Sequence, residues 1–297
     1  MSFFSTIVSQ VFNGLQSGSV YALVALGYSM VYGIIMLLNF AHGDIIMVGA
    51  YIAWITMTLF SLPPVIGIIL AIVGCTLLGV LIEKIAYTPL RKSPRLSLLI
   101  TAIGISFFLE NFVQLDFIMG AGAKSIPTII SGPNISLGST NISFVAIVTI
   151  VVSVLSMILL TLLVQKTKMG KAMRAVSEDM GAAQLMGISV NRTISFTFAV
   201  GSALAGIGAV LYSSAYPQAS PMMGSMLGLK AFVAAVLGGI GSIPGAMIGG
   251  FAIGLLEALV SAVGLSVWKE GVVFAILIIV LLVKPTGIMG RVITEKV

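Results

Sequence analysis

The stretch LLNFAHGDIIMVGAY, Leu37 to Tyr51, sets Asn39, His42, Gly43 and Asp44 inside an otherwise apolar run. His42 is the only histidine of the chain. The apolar runs on either side are continuous and about 17 to 22 residues long, which suits spanning helices. They lack the alternation of a membrane β-strand. The interruption therefore has two readings: a reactive site within a membrane, or a helix break that serves passage through it.

Composition supports the membrane setting. Of 297 residues, 59% are hydrophobic and 8% charged, with a mean hydropathy of +1.18. A soluble domain carries roughly 25% charged residues, and so few cannot clothe a water-facing surface. The expected fold is an all-α integral membrane protein, a single transmembrane domain over residues 1–297. The net charge is +6, and its placement matters more than its size. Lys and Arg cluster at Lys84–Arg95, Lys166–Arg192 and Lys284–Lys296. Short basic loops stay in the cytoplasm, so all three are placed inside, and no nucleic-acid role is needed. The single cysteine, Cys75, excludes an intramolecular disulfide. The opening MSFFSTIVSQVF has no basic n-region, so no signal peptide is expected.

The apolar segments run Ser17–Leu38, Asp44–Phe60, Pro64–Ile82, Ser97–Phe117, Ser143–Val164, Ile194–Tyr212, Leu229–Leu237, Gly245–Val263 and Trp268–Val283. Eight are about long enough to span. Leu229–Leu237 is too short for a core of about 30 Å. It is expected to be a re-entrant half-helix that stops at GGIGSIPG, Gly238 to Gly245. The piece before Gly14 is expected at the interface, and residues 119–142 form an external loop rich in Gly, Ser, Pro and Asn. Two internal repeats are suggested, since MVGAY at Met47–Tyr51 aligns with MIGGF at Met247–Phe251. Each follows an irregular stretch. Paired interruptions of this kind point to a transport pathway, because a broken helix in lipid needs protein or water to satisfy its backbone. The candidate pathway residues are Asn39, His42, Gly43 and Asp44 at one break and Gly239, Gly241 and Gly245 at the other.

A catalytic reading of His42 and Asp44 finds little support. No G-x-S-x-G or H-E-x-x-H is present, and a zinc site needs more ligands than one His and one Asp. No catalytic residue, metal or cofactor is expected. Asn39 and Asp44 are expected to cap two helix pieces, Asp44 as the N-cap or an early residue of the second, with His42 in the turn. Glu110 and Gln114 are four apart and share a helical face. A charge at the bilayer centre costs roughly 2.5–3.5 kcal/mol, so both are pathway candidates, with structural pairing the alternative. Glu257 is similar but has no evident partner, and Lys230 is expected to snorkel. GAGAKS, Gly120 to Ser125, is not a phosphate loop, since Ala123 stands where the glycine before the lysine is required.

The longest polar stretch runs from Gln165 to Ile194. Met169, Met173, Val176, Met180, Ala183 and Met186 recur at helical spacing, predicting one amphipathic helix closed by Gly187. Its methionine stripe suits docking; a helix lying on the membrane is the alternative. GAAQLMG, Gly181 to Gly187, resembles the cytoplasmic E-A-A-x-x-x-G loop of ABC importer permeases, with Gly181 in place of the acidic residue. Together with NFAHGDIIMVGAY and AFVAAVLGGIGSIPGAMIGG, it makes the chain similar to the branched-chain amino-acid ABC transporter permease family, its shorter LivH-type permease, over nearly the whole length. That resemblance implies a cell-membrane permease beside a second permease subunit, two ABC ATPase subunits at the cytoplasmic face and an external substrate-binding protein. It implies passage of leucine, isoleucine and valine; related permeases serve urea, short-chain amides and other amino acids. It also implies that Met173, Arg174, Glu178, Asp179, Ala182, Ala183 and Gly187, in the segment 165–193, couple to the ATPases. The rival classes are an ion-coupled secondary transporter and a membrane enzyme.

Overall fold

The computed structural model describes residues 3–36, 39–91, 93–137 and 140–290. The expected end of the first span at Leu38, the far end of the last basic cluster and residues 138–139 of the external loop lie outside the described residues. The chain runs α1 (Phe3–Ile35), α2 (His42–Trp54) with a π-helical turn Ile55–Leu59, α3 (Pro64–Ile82) with a second π-helical turn Glu83–Tyr87, α4 (Thr88–Leu90), α5 (Arg95–Gln114), α6 (Phe144–Lys166), α7 (Lys168–Glu178), α8 (Met180–Leu185), α9 (Val190–Ala215), α10 (Met223–Gly238), α11 (Ile243–Ala262) and α12 (Lys269–Val283). Among the described residues, eight helices are long and apolar enough to cross a membrane, and α10 is shorter. The all-α membrane architecture is as expected. Four short strands, β1 (Lys124–Ser125), β2 (Ile135–Leu137), β3 (Thr140–Ile142) and β4 (Gln218–Ala219), pair antiparallel as β1–β4 and β2–β3.

Glycine spacing sets the centre of the bundle. Gly14 and Gly18 on α1 are four apart, as are Gly250 and Gly254 on α11. The two helices run antiparallel with these residues in contact: a methyl group at Gly14 would lie 2.8 Å from Ala258 Cβ, and one at Gly18 2.9 Å from the Gly250 carbonyl. Small residues at this spacing let backbones meet where no hydrophobic drive between helices exists. It also explains why α1 is one helix from Phe3, about 50 Å long, and not a short interfacial piece followed by a span. Its middle third, from Gly14 to Ala22, is held by α11. Helices α2, α9 and α10 complete the buried core, while α3, α5, α6 and α12 turn rows of apolar side chains outward, as lipid-facing helices do.

The contacts fix the faces. Gly33 of α1 meets Gly241, and Ile288 and Met289 donate backbone hydrogen bonds to the carbonyls of Leu237 and Gly238. The basic Arg91 meets Asn191 at this same end of the bundle, so it is the cytoplasmic face. At the other end Ser17 bonds Tyr216, beside the β1–β4 pair. The half-helix α10 is present, but its course differs from a hairpin returning to its own side. The chain descends from β4 at the external face, forms α10, and ends at the cytoplasmic face. At 16 residues it covers only about 24 Å; an extended leg covers the rest.

Lys230 does not snorkel. Its ammonium lies 2.8 Å from Glu257 on α11 and 3.5 Å from Glu270 on α12, and Tyr21 of α1 donates to Glu257 at 2.7 Å. Glu257 thus has two partners that spacing along the chain could not reveal. The cluster ties α10 to three helices.

Four variants test this packing. Gly250→Val drives a side chain into the α1 backbone at Ala22 and is expected to cost about 3 kcal/mol or more. Gly104→Ala, with nothing within 4 Å of the added methyl, is expected to gain up to about 1 kcal/mol. Lys230→Met strands a buried carboxylate, at about 3–5 kcal/mol, and Lys230→Met with Glu257→Gln is expected to recover most of that loss. Thermal unfolding of the purified protein in detergent reads all four.

Candidate translocation site

Both α2 and α10 start inside the protein. His42 packs against Gly27, where any side chain would collide with its imidazole. Gly27 lies eight residues, or about 12 Å, before the cytoplasmic end of α1 at Ile35. Met36, at the end of α1, has φ +51°, and α2 begins back inside the bundle. There it meets the start of α10: a methyl group at Gly224 would lie 2.7 Å from the Gly43 carbonyl oxygen and 2.8 Å from Asp44 Oδ1. A methyl group at Gly43 would lie 2.9 Å from Gly228 Cα. Two helix N-termini lie side by side there, neither with a side-chain cap.

Capping by Asn39 and Asp44 is not what the structure shows. The N-cap of α2 is Ala41, in helical backbone conformation. The amides of His42 and Asp44 bond the carbonyls of Asn39 and Ala41, at 3.0 and 3.1 Å, and that of Gly43 meets the Tyr28 hydroxyl, so neither expected side chain caps the helix. Asn39 accepts from the Tyr87 hydroxyl at 2.9 Å instead. His42 is the first residue of α2, not a turn residue, and Asp44 is an early helical residue, the second of its two expected placements. The His42 ring meets the edge of Tyr28, centroids 5.0 Å apart. His42 and Asp44 are two apart on a helix and face different ways, so they form no catalytic dyad.

Asp44 is fully buried, and neither carboxylate oxygen has a hydrogen-bond partner. The Ser106 hydroxyl of α5 makes only a weak polar contact with it, short of full hydrogen-bond geometry, and the Glu110 carboxylate lies near enough to repel it; Glu110 Oε1 is also buried without a partner. The first turn of a helix favours a negative charge, and Asp44 has two such turns beside it. A cleft of about 140 Å³ opens alongside, lined by Tyr28, Phe40, Ile103, Ser106, Ser225 and Leu229. Gln114 bonds its own helix at the Glu110 carbonyl, 3.3 Å away, and stands one turn further out. The second set of glycines is elsewhere: Gly239 and Gly241, with φ of +104° and +88°, form the cytoplasmic turn between α10 and α11, and Gly245 packs on Gly238. The two breaks therefore do not share one site. Only Gly224 and Gly228, at close-approach spacing, signalled in the sequence where α10 would meet α2. Tyr28 and the two serines carried no signal.

The cytoplasmic segment also differs from one amphipathic helix. It is two, α7 and α8, hinged at Asp179, which ends the first and caps the second by accepting from the Ala182 amide at 2.9 Å. Met173 is 1% exposed and, with Val176, faces the bundle; it is a packing residue, not a docking one. Ala183 is also buried. Arg174 donates to the carbonyls of Val164 and Gln165 at 3.1 and 3.3 Å, closing the end of α6. The exposed apolar tip belongs to Leu185 and Met186, 90% and 83% exposed, beside the exposed Glu178 and Ala182. Gly187, φ +81°, ends α8 as expected: its amide bonds Gln184 and that of Ile188 bonds Ala183, a Schellman motif.

Residues 10–281 match the family described as branched-chain amino acid transport system / permease component. The chain is 44% identical over 306 residues to the high-affinity branched-chain amino acid transport system permease protein LivH of Salmonella typhimurium, with 99% of each chain covered. It is 44% identical to the corresponding permease BraD of Pseudomonas aeruginosa, over 98% of each. It is 30% identical to a probable LivH of Methanocaldococcus jannaschii, over 90% of this chain and 88% of the relative. No solved structure matches. With a match across nearly its whole length, the chain belongs to the branched-chain amino acid transport permease family.

Proposed function

We propose that this chain is one permease subunit of an ATP-driven importer that passes leucine, isoleucine and valine through the cell membrane. In this reading a second permease subunit completes the path, two ATPase subunits bind the cytoplasmic face, and an external binding protein delivers the substrate. The names of the similar permeases support the substrate class. The observation that carries the coupling is the two-part segment itself: α7 is packed inward on α1, α6 and α9, while Leu185 and Met186 stand free at its tip. Such a part transmits a push to the bundle without being squeezed flat. ATP binding must favour one facing of the path over the other for the push to have effect.

The paired carboxylates Asp44 and Glu110 are also what an ion-coupled carrier would use. The two readings separate in cells lacking this gene. A plasmid copy is expected to restore labelled leucine uptake, and an uncoupler at constant ATP is expected to leave that uptake intact; abolition by the uncoupler would favour the carrier.

Leu185→Asp with Met186→Asp places charge on the free tip. Uptake is expected to fall at least tenfold while the protein accumulates normally in the membrane, and the ATPase subunits no longer copurify. Retained copurification and uptake would remove the docking role from α8.

A further inference from the structure

We propose that the cleft beside Asp44 seats the amino acid in transit, with its aliphatic side chain among Phe40, Ile103 and Leu229 and its ammonium group on the carboxylates of Asp44 and Glu110. The inference rests on the importer reading above and adds to it a place and a recognition chemistry.

Three observations converge. Asp44 Oδ1 and Oδ2 and Glu110 Oε1 are buried oxygens without hydrogen-bond partners. An ammonium group carries three N–H donors and no acceptor, so one cation of this kind supplies what all three oxygens lack. The described cations leave them unserved: Lys230 is engaged with Glu257 and Glu270, and Arg91 with Glu83 and Asn191. A buried carboxylate without a partner is costly, and a substrate that brings the partner relieves that cost for as long as it stays.

The cleft matches the other end of the substrate. Its volume of about 140 Å³ is close to the roughly 150 Å³ of an apolar cavity that takes benzene, the scale of a branched four-carbon side chain. Its wall mixes apolar Phe40, Ile103 and Leu229 with the hydroxyls of Tyr28, Ser106 and Ser225. Ser106 also makes a polar contact with Asp44, so one side chain borders both the cleft and the buried carboxylate. Ser225 stands in the uncapped first turn of α10, where the substrate carboxylate is favoured by the helix N-terminus. Urea and simple amides carry no ammonium for Asp44.

The test uses cells lacking the gene and any second leucine system, complemented with plasmid copies and matched for membrane protein level. Ser225→Leu narrows the cleft and is expected to lower the ratio of leucine to valine uptake about tenfold. Leu229→Ala widens it and is expected to move the ratio the other way. Asp44→Asn is expected to cut uptake of both at least tenfold, with Asp44→Glu restoring a substantial part. A ratio unchanged in both cleft variants, or Asp44→Asn at the wild-type level, overturns the proposal. Failure of the wild-type copy to restore any leucine uptake strikes the importer reading instead.

Discussion

The crossing of α2 and α10 at Gly43, Gly224 and Gly228 is the contact on which the rest of the structure depends. Two helices begin inside the bundle, at a depth where lipid can satisfy none of their first amides. The start of α2 turns those amides onto the carbonyls of Asn39 and Ala41, and the two starts pack against each other. That requires backbone-to-backbone approach, since a methyl group at Gly43 or Gly224 would collide with the opposite chain. With side chains excluded from the crossing, Asp44 is left as the one charged group beside both N-termini. The same exclusion lets α1 hold the crossing in place, through Gly27 under His42 and Tyr28 against its ring.

The two interruptions divide the work. At the cytoplasmic turn, Gly239 and Gly241 use positive φ to fold α10 back onto α11. At the other, Asn39–Ala41 lead into α2 inside the bundle. The helix before each break packs on the helix after the other: α1 on α11, and α10 on α2. The entering segment is tied to the cytoplasmic face through Asn39 and Tyr87. Tyr87 closes the π-helical turn that begins at Glu83, and Glu83 bonds Arg91, Thr88 and Ser195. Arg91 in turn meets Asn191 at the start of α9, directly after α8. Polar contacts, joined by the backbone of the turn Glu83–Tyr87, therefore link the start of α9 to the segment ahead of His42.

Much of this was legible in the sequence, for physical reasons. Apolar length fixes spans because the bilayer has one thickness, and the paired breaks stood out because polar residues in lipid are rare. The spacings Gly14–Gly18 and Gly250–Gly254 gained their meaning only from the structure, which puts the two pairs in contact. What stayed hidden depends on contact between distant elements. Lys230 read as a snorkelling residue because Glu257 is 27 positions away and Glu270 further still. The methionine stripe read as a docking face because amphipathicity says that one side of a helix is apolar, not what covers it. Met173 faces the bundle, and the surface left for a partner is Leu185 and Met186, beyond the hinge at Asp179.

The hidden part is also the functional part, and the reason lies in polar satisfaction. Lys230, Glu83 and the side-chain oxygen of Asn39 found partners inside the chain, and the helices they join are held by them. Both carboxylate oxygens of Asp44 and Oε1 of Glu110 did not, although both residues are buried. If Asp44 served only to hold the fold, an asparagine would place the same shape at the two helix starts without the burden of an unpaired charge. Two helix N-termini offset part of that burden at about 0.3–1 kcal/mol each, up to ~2 when partly buried, less than burying an unpaired carboxylate costs. A proton on the carboxylate can relieve the remainder while the cleft is empty, and in the proposal above the cargo's ammonium group relieves it while the cleft is filled. A path that lets its cargo go needs a site completed by the cargo rather than by the protein.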